Sequence, residues 1–368
     1  MLTKFAVTNY RGFSERIEWD LSSPSNYEFN LNAIKDGIIK NGIIYGPNGS
    51  GKTNFSLAIF DIENHLSQKW KKPDYFNNYI YAGINSGLVE FEYTFKFGND
   101  IVEYNYSKNA NGVLQTEILK ENGKLIFDKK MDSFVIDDSL FSVVQSIKDD
   151  FKQNANNVSV IKFLLSSYPL DKNNYLIKLQ QFVDSMLWFR NLDIREFIGL
   201  ETSVTMLDEF IISNNLLTDF ETFLKDVSGQ EFKLSADPSG KQLICKIDSV
   251  FVSFQLIAST GTKSLQLLYF WIQRMKKGGA SFVFIDEFDA FYHFKLSYEV
   301  CKRLFNLDCQ VFTSTHNTYL MTNELLRPDC YFLLGKNKIL PLPKCTEKEL
   351  REAHNIEKIY KSGAFHVE

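Results

Sequence analysis

The sequence has little that suits an exported or membrane-inserted protein. Its five cysteines form no CxxC pair and no zinc-type spacing with histidine, which favours buried, reduced thiols. The N-terminus lacks the apolar core of a signal peptide, and no apolar run approaches the roughly 20 residues of a membrane span. These absences predict a soluble, cytoplasmic protein with no membrane partner.

Concentrated positive charge is also missing. The formal net charge is −4, and the densest basic cluster, Lys69-Trp70-Lys71-Lys72, is short. A protein that coats DNA permanently would be more basic. The composition therefore disfavours that class, although a basic groove formed only in a dimer stays open.

Alternating residues in the first third of the chain indicate antiparallel strands. Apolar and polar residues alternate over 91–97 and again over 102–106, and Gly98-Asn99-Asp100 marks the turn between them. Asn111-Gly112 and Asn122-Gly123 are typical of two further hairpins.

From about residue 137 the apolar period becomes helical. One stripe runs from Leu140 to Phe151, a second from Leu176 to Arg190 as its polar end, and a third from Leu216 to Leu224. These stripes are too short for a long coiled coil. They predict a compact helical insertion or lid over 137–235.

Residues 46–53 match the phosphate-binding pattern GxxxxGK[ST] at every fixed position. The loop follows an apolar strand over 42–45 and precedes helical spacing over 55–66. Its glycines let backbone N–H groups face phosphate oxygens, its lysine faces the β- and γ-phosphates, and its threonine offers a hydroxyl to Mg²⁺. The predicted ATP contacts are Asn48, Gly49, Ser50, Gly51, Lys52 and Thr53.

A second apolar strand, Phe282 to Ile285, ends in two acids, Asp286 and Glu287. In the Walker B arrangement the first acid holds Mg²⁺ and the second polarises the attacking water as general base. Solvated acids at an ordinary strand end are the alternative, and the phosphate loop disfavours it. Asp286 is therefore the predicted metal ligand and Glu287 the predicted catalytic base.

Two further segments have polar residues where a ligand could bind. Ser259 and Gly261 stand at the start of a predicted helix, whose N-terminus could bind an anion, and a simple N-cap is the alternative. The strand from Val311 ends in His316. Because parallel strands end at one sheet edge, His316 could reach the γ-phosphate, and a structural histidine is its alternative.

This order of motifs resembles the ABC ATPase class. Ser259 and Gly261 resemble its signature motif, with Thr260 in place of the usual first glycine, while Asp289 resembles the D-loop and His316 the switch histidine. No glutamine is placed convincingly as a Q-loop residue, and Gln115 is only a weak candidate.

The opening segment, Phe5 to Phe13, is similar to the first strand of SMC, RecF and OLD-type ATPases. In those families the matching arginine often approaches the phosphates, which makes Arg11 a candidate. The resemblance implies an α/β ABC-type ATPase head, with a mixed, parallel sheet bearing the phosphate loop, an antiparallel β subdomain and a helical insertion. The predicted segments are 1–136 and 236–345 for the ATPase domain, 137–235 for the insertion and 346–368 for a tail.

The resemblance also implies a partner and a role. ABC-class subunits dimerise head-to-tail around two ATP molecules with Mg²⁺, so a homodimer or higher even oligomer is expected, with Ser259 and Gly261 facing the ATP held by the other subunit's Lys52. The closer similarity is to stand-alone AAA/OLD-type ATPases of bacterial anti-phage, abortive-infection systems. It implies a sensor or scaffold controlling a separate effector, a nuclease or toxin.

Two other functions stay open. A RecF-like or SMC-like DNA repair ATPase would bind DNA, which the acidic pI of about 5.9 disfavours mildly. A nucleotide-binding regulator with negligible turnover is the other, and Asp286-Glu287 argues against it.

Overall fold

The computed structural model describes residues 1–67, 73–84, 87–130, 133–137, 158–190, 196–200 and 206–367. Within them the chain forms two seven-stranded sheets, together with a three-stranded sheet and a two-stranded ribbon. One large sheet is antiparallel and the other is largely parallel. This is the mixed α/β fold that the sequence predicts.

The antiparallel sheet has the strand order β10-β9-β8-β7-β6-β1-β2. Its strands are β1 Leu2–Thr8, β2 Ile17–Asp20, β6 Val89–Phe97, β7 Asp100–Lys108, β8 Leu114–Glu121, β9 Lys124–Lys129 and β10 Phe134–Ile136. Along β6 the aromatic residues Phe91, Tyr93 and Phe95 lie on the buried face and alternate with polar residues on the more accessible face, as the period of two requires. The predicted turns at 98–100, 111–112 and 122–123 each join neighbouring strands.

The second sheet has the order β12-β11-β16-β17-β5-β18-β19. Its strands are β5 Asn41–Tyr45, β11 Leu187–Arg190, β12 Phe197–Gly199, β16 Phe282–Asp286, β17 Gln310–Ser314, β18 Tyr331–Leu334 and β19 Ile339–Pro341. The five inner strands run parallel, and only the edge strands β12 and β19 are antiparallel. The inner strands therefore bring their carboxyl ends to one edge.

The smaller strands and the helices complete the described part of the chain. The small strands are β3 Ile34–Lys35, β4 Ile38–Ile39, β13 Leu234–Ala236, β14 Leu243–Ile247 and β15 Val250–Ser253. The helices are α1 Lys52–Ile59, α2 Asp61–Leu66, α3 Val160–Ser167, α4 Tyr175–Asp184, α5 Leu207–Ser213, α6 Leu217–Ser228, α7 Phe254–Ile257, α8 Thr260–Gly278, α9 Phe294–Phe305 and α10 Ile356–Lys361. The helical spacing over 55–66 thus becomes two helices that meet at Phe60.

Aromatic side chains join the two large sheets into one core. The fully buried ring of Trp19 on β2 lies 4.6 Å from Phe312, 5.4 Å from Phe332 and 5.6 Å from Phe55, centroid to centroid. Phe312 and Phe332 belong to the parallel sheet, and Phe55 lies on α1. Such edge-to-face pairs add specific geometry to the burial of apolar area, so helix α1 is held firmly between the sheets.

The helical interpretation of 137–235 is correct only in part. Helix α4 buries Leu176, Leu179 and Val183 on one face as predicted, whereas the stripe from Leu140 to Phe151 lies outside the described residues. Arg190 is not the polar end of a helical stripe, because the chain turns into strand β11, which pairs with β16 in the central sheet. A short, fully buried strand lacks the alternation that would distinguish it from a helix. The proposed domain boundaries stay a prediction.

No helix among the described residues is both long enough and apolar enough to cross a membrane.

Candidate functional site

The candidate site lies at the carboxyl edge of the parallel sheet. Strand β5 runs into the phosphate loop, β16 ends at Asp286, and β17 continues to His316. On the far side of β16, Arg190 ends strand β11 directly beside Asp286 in the parallel register. Four segments far apart in sequence therefore meet at one edge, where ligands of parallel sheets bind.

The phosphate loop has the backbone conformation that its glycines permit. Gly49 has a φ of 78° and Gly51 a φ of 94°, and a Cβ on Gly51 would lie 2.9 Å from the Phe13 ring. The Lys52 ammonium donates to the carbonyl oxygens of Gly46, at 2.8 Å, and Pro47, at 3.2 Å. Burial lowers the pKa of Lys52, while Asp286 and Glu287 oppose that shift. The lysine thus curls over its own loop, where phosphate oxygens can replace its two carbonyl acceptors.

One polar atom in the loop supports an anionic ligand. The Ser50 hydroxyl is buried and has no hydrogen-bond partner within the described residues. A buried hydroxyl without a partner is costly unless a ligand or water satisfies it. The predicted contact of Ser50 with ATP would provide that partner.

Asp286 is fully buried and joins three elements. Its Oδ2 accepts a hydrogen bond from Thr53 Oγ1 at 2.7 Å, and its Oδ1 accepts one from Ser314 Oγ at 2.6 Å. A threonine hydroxyl and a carboxylate are the hard oxygen ligands that Mg²⁺ takes beside nucleotide phosphates. The predicted metal ligands Thr53 and Asp286 are thus adjacent, and their chemistry fits the ion.

Arg190 is a site residue that the sequence reasoning missed. Its Nη2 donates to Asp286 Oδ2 at 2.9 Å and to Thr53 Oγ1 at 3.2 Å, and Nη1 reaches Glu196 Oε2 at 3.4 Å. Burial opposes its charge, but the hydrogen bond and negative charge of Asp286 outweigh that cost and raise the pKa of Arg190. The sequence feature that could have indicated Arg190 is its position at the end of the apolar run Leu187 to Phe189.

Glu287, the predicted base, has a strained backbone. Its φ is 48°, and its N–H donates to Ser314 Oγ at 2.9 Å. Left-handed backbone is unfavourable for residues other than glycine, asparagine and aspartate, and such strain concentrates at functional sites. The turn therefore changes the chain's direction immediately after the buried Asp286.

The D-loop and switch candidates lie together on the neighbouring strand end. Thr315 Oγ1 donates to Asp289 Oδ1 at 2.6 Å. Burial raises the pKa of Asp289, although hydrogen bonds from Thr315 and Asn317 oppose the shift. The exposed His316 has a lowered pKa, caused first by partial burial and then by the charge of Lys52. His316 therefore lies within electrostatic reach of the phosphate loop.

Ser259 caps the 19-residue helix α8. Its Oγ accepts from the Thr262 N–H at 3.2 Å, so Ser259 is the N-cap residue, and its side chain is exposed. A Cβ on Gly261 would lie 3.0 Å from the Phe291 carbonyl oxygen, which places the signature candidate against the segment after the D-loop. Among the described residues of one chain, Ser259 and Gly261 form no hydrogen bond with the phosphate loop or Asp286, so their ATP contact stays a prediction.

The family model described as "AAA domain, putative AbiEii toxin, Type IV TA system" matches residues 43–322. The chain belongs to this family. The matched range begins within β5 and includes the phosphate loop, Arg190, the Ser259 helix start, Asp286-Glu287 and His316. No curated protein sequence matches the chain.

Solved SMC heads align with this AAA domain protein at 15% identity. The SMC head domain from Thermotoga maritima aligns over 92% of this chain and 98% of its own, with a TM-score of 0.47. An SmcHead bound to the C-winged helix domain of ScpA aligns over 93% and 98%, with a TM-score of 0.48. The Pyrococcus furiosus Smc head with an extended coiled coil, bound to the C-terminal domain of ScpA, aligns over 93% and 97%, with a TM-score of 0.45.

Arg11 lies outside the matched range of the AAA domain but close to its phosphate-loop helix. Its φ is 47°, its Nη2 donates to the Tyr75 carbonyl oxygen at 2.9 Å, and Nη1 reaches Asn54 Oδ1 at 3.5 Å. The guanidinium also lies over the rings of Tyr10 and Tyr75. Contacts within the protein therefore hold the Arg11 side chain, and the contact of Arg11 with phosphate stays a prediction.

Two other predicted features of this AAA domain protein differ in outcome. The Gln115 amide donates to the carbonyl oxygens of Val113 and Leu114 in its own segment, which adds no support for a Q-loop role.

The C-terminal tail, to which the sequence assigned no chemistry, packs beside the phosphate loop. A groove of about 470 Å³ separates them, and its tail-side wall includes Tyr360 and Phe365.

Proposed function

We propose that the protein binds ATP with Mg²⁺ and hydrolyses it at the carboxyl edge of the parallel sheet. The observation that carries the proposal is the 2.7 Å hydrogen bond between Thr53 and Asp286. It joins the phosphate loop to the acidic end of strand β16, although 233 positions in sequence separate the two residues. The AAA domain family supports the same conclusion.

Each site residue has a distinct task in this proposal. Lys52 exchanges its two carbonyl partners for the β- and γ-phosphates, and the N–H groups of the loop surround the remaining oxygens. Thr53 and Asp286 would hold Mg²⁺, which when bound supplies positive charge to the phosphates. Glu287 accepts a proton from the attacking water. His316, whose pKa the charge of Lys52 helps to lower, would sense the γ-phosphate.

We further propose that two copies assemble head-to-tail, with Ser259 and Gly261 of one copy facing the ATP of the other. The exposed helix start at Ser259 offers N–H groups and a positive helix end to phosphate. Large apolar side chains are exposed on the segments next to it: Leu256, three residues before Ser259, is 80% exposed, and Phe291, whose carbonyl oxygen faces Gly261, is 41% exposed. A second copy would cover them, because exposed apolar residues beside a ligand site are typical of an interface.

Two variants test the site. Glu287→Gln keeps the shape of the side chain but removes the base, so we expect ATP turnover to fall by at least 100-fold while an ATP-bound dimer accumulates in light scattering. Lys52→Ala should lose ATP affinity in calorimetry. Wild-type turnover in Glu287→Gln would refute the assignment of the base, and a monomer with ATP bound would refute the head-to-tail assembly.

The biological role we propose is a sensor or scaffold in a bacterial anti-phage system, controlling a separate nuclease or toxin. The description of the matching family, with its reference to a toxin and a toxin–antitoxin system, supports this assignment. Phage challenge of cells that carry wild type or Lys52→Ala tests it, and equal protection by both would refute a role for ATP. DNA-stimulated, salt-sensitive ATPase activity without any protection would instead favour a DNA repair ATPase.

A further inference from the structure

The carboxylate of Asp286 is already paired with a cationic side chain. Asp286 is fully buried, and the guanidinium of Arg190 donates to its Oδ2 through Nη2 at 2.9 Å and through Nε at 3.3 Å. A buried carboxylate without a compensating charge is very unfavourable. Arg190 therefore provides the neutralisation that Asp286 needs in the absence of another cation.

The same guanidinium contacts the other predicted metal ligand. Arg190 Nη2 lies 3.2 Å from Thr53 Oγ1, so a single nitrogen bridges Thr53 and Asp286. These two oxygens are the ones expected to hold Mg²⁺. A divalent ion on them would stand next to a guanidinium in a low-dielectric site, where repulsion between like charges is strong. Arg190 and a divalent ion therefore compete for the same oxygens.

Arg190 has a second acidic partner within reach. Its Nη1 lies 3.4 Å from Glu196 Oε2, and the Glu196 side chain is 37% exposed, compared with 21% for Arg190 and none for Asp286. The guanidinium also lies 6.0 Å from the ring of the buried Trp188, which leaves one face of it against a fixed surface. A rotation of the arginine toward Glu196 would keep its charge paired and bring it closer to solvent.

We propose that Arg190 is a built-in counter-ion that holds the divalent-cation position of the ATP site and moves onto Glu196 when Mg²⁺ arrives. This inference rests on the proposed function, since that function places Mg²⁺ on Thr53 and Asp286. This implies an order of binding. A free divalent ion competes poorly with Arg190 for Thr53 and Asp286, whereas ATP adds phosphate oxygens as further ligands and so makes binding of the ion favourable. Metal and nucleotide therefore bind together.

The test measures Mn²⁺ binding to the nucleotide-free, full-length protein by electron paramagnetic resonance. Arg190→Gln removes the competing charge, so we expect at least tenfold tighter Mn²⁺ binding than in wild type. The added Asp286→Asn change should abolish that gain. Arg303→Gln is the matched control, because Arg303 of α9 pairs with Asp226 of α6 at 2.8 Å, where both side chains are exposed. Unchanged Mn²⁺ affinity in a folded Arg190→Gln protein would overturn the proposal.

A second variant decides the matter if Arg190→Gln does not fold. Glu196→Gln removes the acceptor from a partly exposed position, so Arg190 should stay on Asp286 and Mn²⁺ affinity in the presence of a non-hydrolysable ATP analogue should fall severalfold. Equal affinity in Glu196→Gln and wild type would contradict the switch.

Binding of ATP in the presence of Mg²⁺ separates this inference from the proposed function. Loss of ATP binding in wild type, with the Mn²⁺ gain of Arg190→Gln retained, would refute the nucleotide site and leave the counter-ion in place. Normal ATP binding with no Mn²⁺ gain would refute the counter-ion alone.

Discussion

Two fully buried aspartates have contrasting surroundings. Asp61, at the start of α2, pairs with Lys108 of the antiparallel sheet, and Asp286, at the end of β16, pairs with Arg190. Lys108 is only 3% exposed, whereas Arg190 is 21% exposed. The first pair is sealed inside the protein, and the second opens toward the site edge.

The partners of Asp61 all come from the protein interior. Besides Lys108, the hydroxyls of Tyr79, Tyr106 and Tyr75 donate to it at 2.6, 2.8 and 3.3 Å. Burial, together with the charge of Asp61, raises the pKa of Tyr79 and Tyr106 well above the ordinary value, so both keep the protons that they donate. A carboxylate with this many fixed donors has no need of a ligand.

The difference follows from position in the fold. Asp61 lies beneath a sheet whose strands cover it, whereas Asp286 ends a parallel strand and is covered by the partly exposed Arg190 at the end of the neighbouring strand. A buried carboxylate thus has a structural role when its cationic partner is enclosed. It can exchange that partner for a ligand when the partner can move away. Substitutions and ligand binding can test that distinction on the sealed Asp61–Lys108 pair and the open Asp286–Arg190 pair.

The largest effect is expected from Lys108→Met. It leaves Asp61 buried without its cation, and breaking such a pair costs about 3–5 kcal/mol of the free energy of unfolding. Urea unfolding measures the loss. Lys35→Met is the control, since the exposed pair of Lys35 with Asp308 should contribute about 1 kcal/mol or less. A loss in Lys108→Met as small as in the control would contradict the sealed-pair interpretation.

ATP with Mg²⁺ should stabilise the open site by an intermediate amount. At 100 times its Kd the ligand adds about 2.7 kcal/mol to the free energy of unfolding, because it binds only the folded state. Thermal unfolding with and without ligand measures this gain, which Lys52→Ala should lose. The gain should persist in Lys35→Met, whose changed residue lies away from the site. A full gain in Lys52→Ala would show that the nucleotide binds elsewhere.

Arg190→Met should cost less than Lys108→Met, about 1–2 kcal/mol in the nucleotide-free protein. Asp286 keeps the hydroxyl donors of Thr53 and Ser314, and loss of the partly exposed Arg190 guanidinium would let water reach it. Urea unfolding of both variants under one condition compares them directly. The contrast between sealed and open pairs would be wrong if Arg190→Met were the more damaging change.

The smallest effect is the pH dependence of His316. Its lowered pKa means that the folded protein binds its proton less tightly than the unfolded chain does. This contribution to stability is present above the unfolded pKa of about 6.5 and is lost as pH falls toward the folded pKa. His316→Gln should therefore reduce the fall in Tm on acidification, by roughly 1 °C. An identical pH profile in the variant would refute this contribution.

Local sequence patterns predicted much of this site because its chemistry is local. The phosphate loop needs glycines at fixed positions before a helix, and the acidic strand needs a continuous apolar run before Asp286, so both can be identified without knowing the fold. The alternating aromatic residues of β6 and β7 predicted the antiparallel sheet for the same reason: burial of one face imposes a period of two.

Arg190 could not be assigned in this way. Its partners Thr53 and Asp286 are 137 and 96 positions away in sequence, and the four residues of β11 are too few to show a strand period. The helical spacing from Leu176 continued by chance to Arg190, and it concealed the strand.

The sequence by itself determined the phosphate loop, its acidic partner strand, the alternating sheet and membership in a nucleotide-binding class, because each depends on neighbouring residues. Only the tertiary structure decided which charges meet. The strand order β11-β16-β17-β5 brings Arg190, Asp286, Ser314 and Thr53 to one edge, and electrostatic pairing depends on distance in space rather than along the chain.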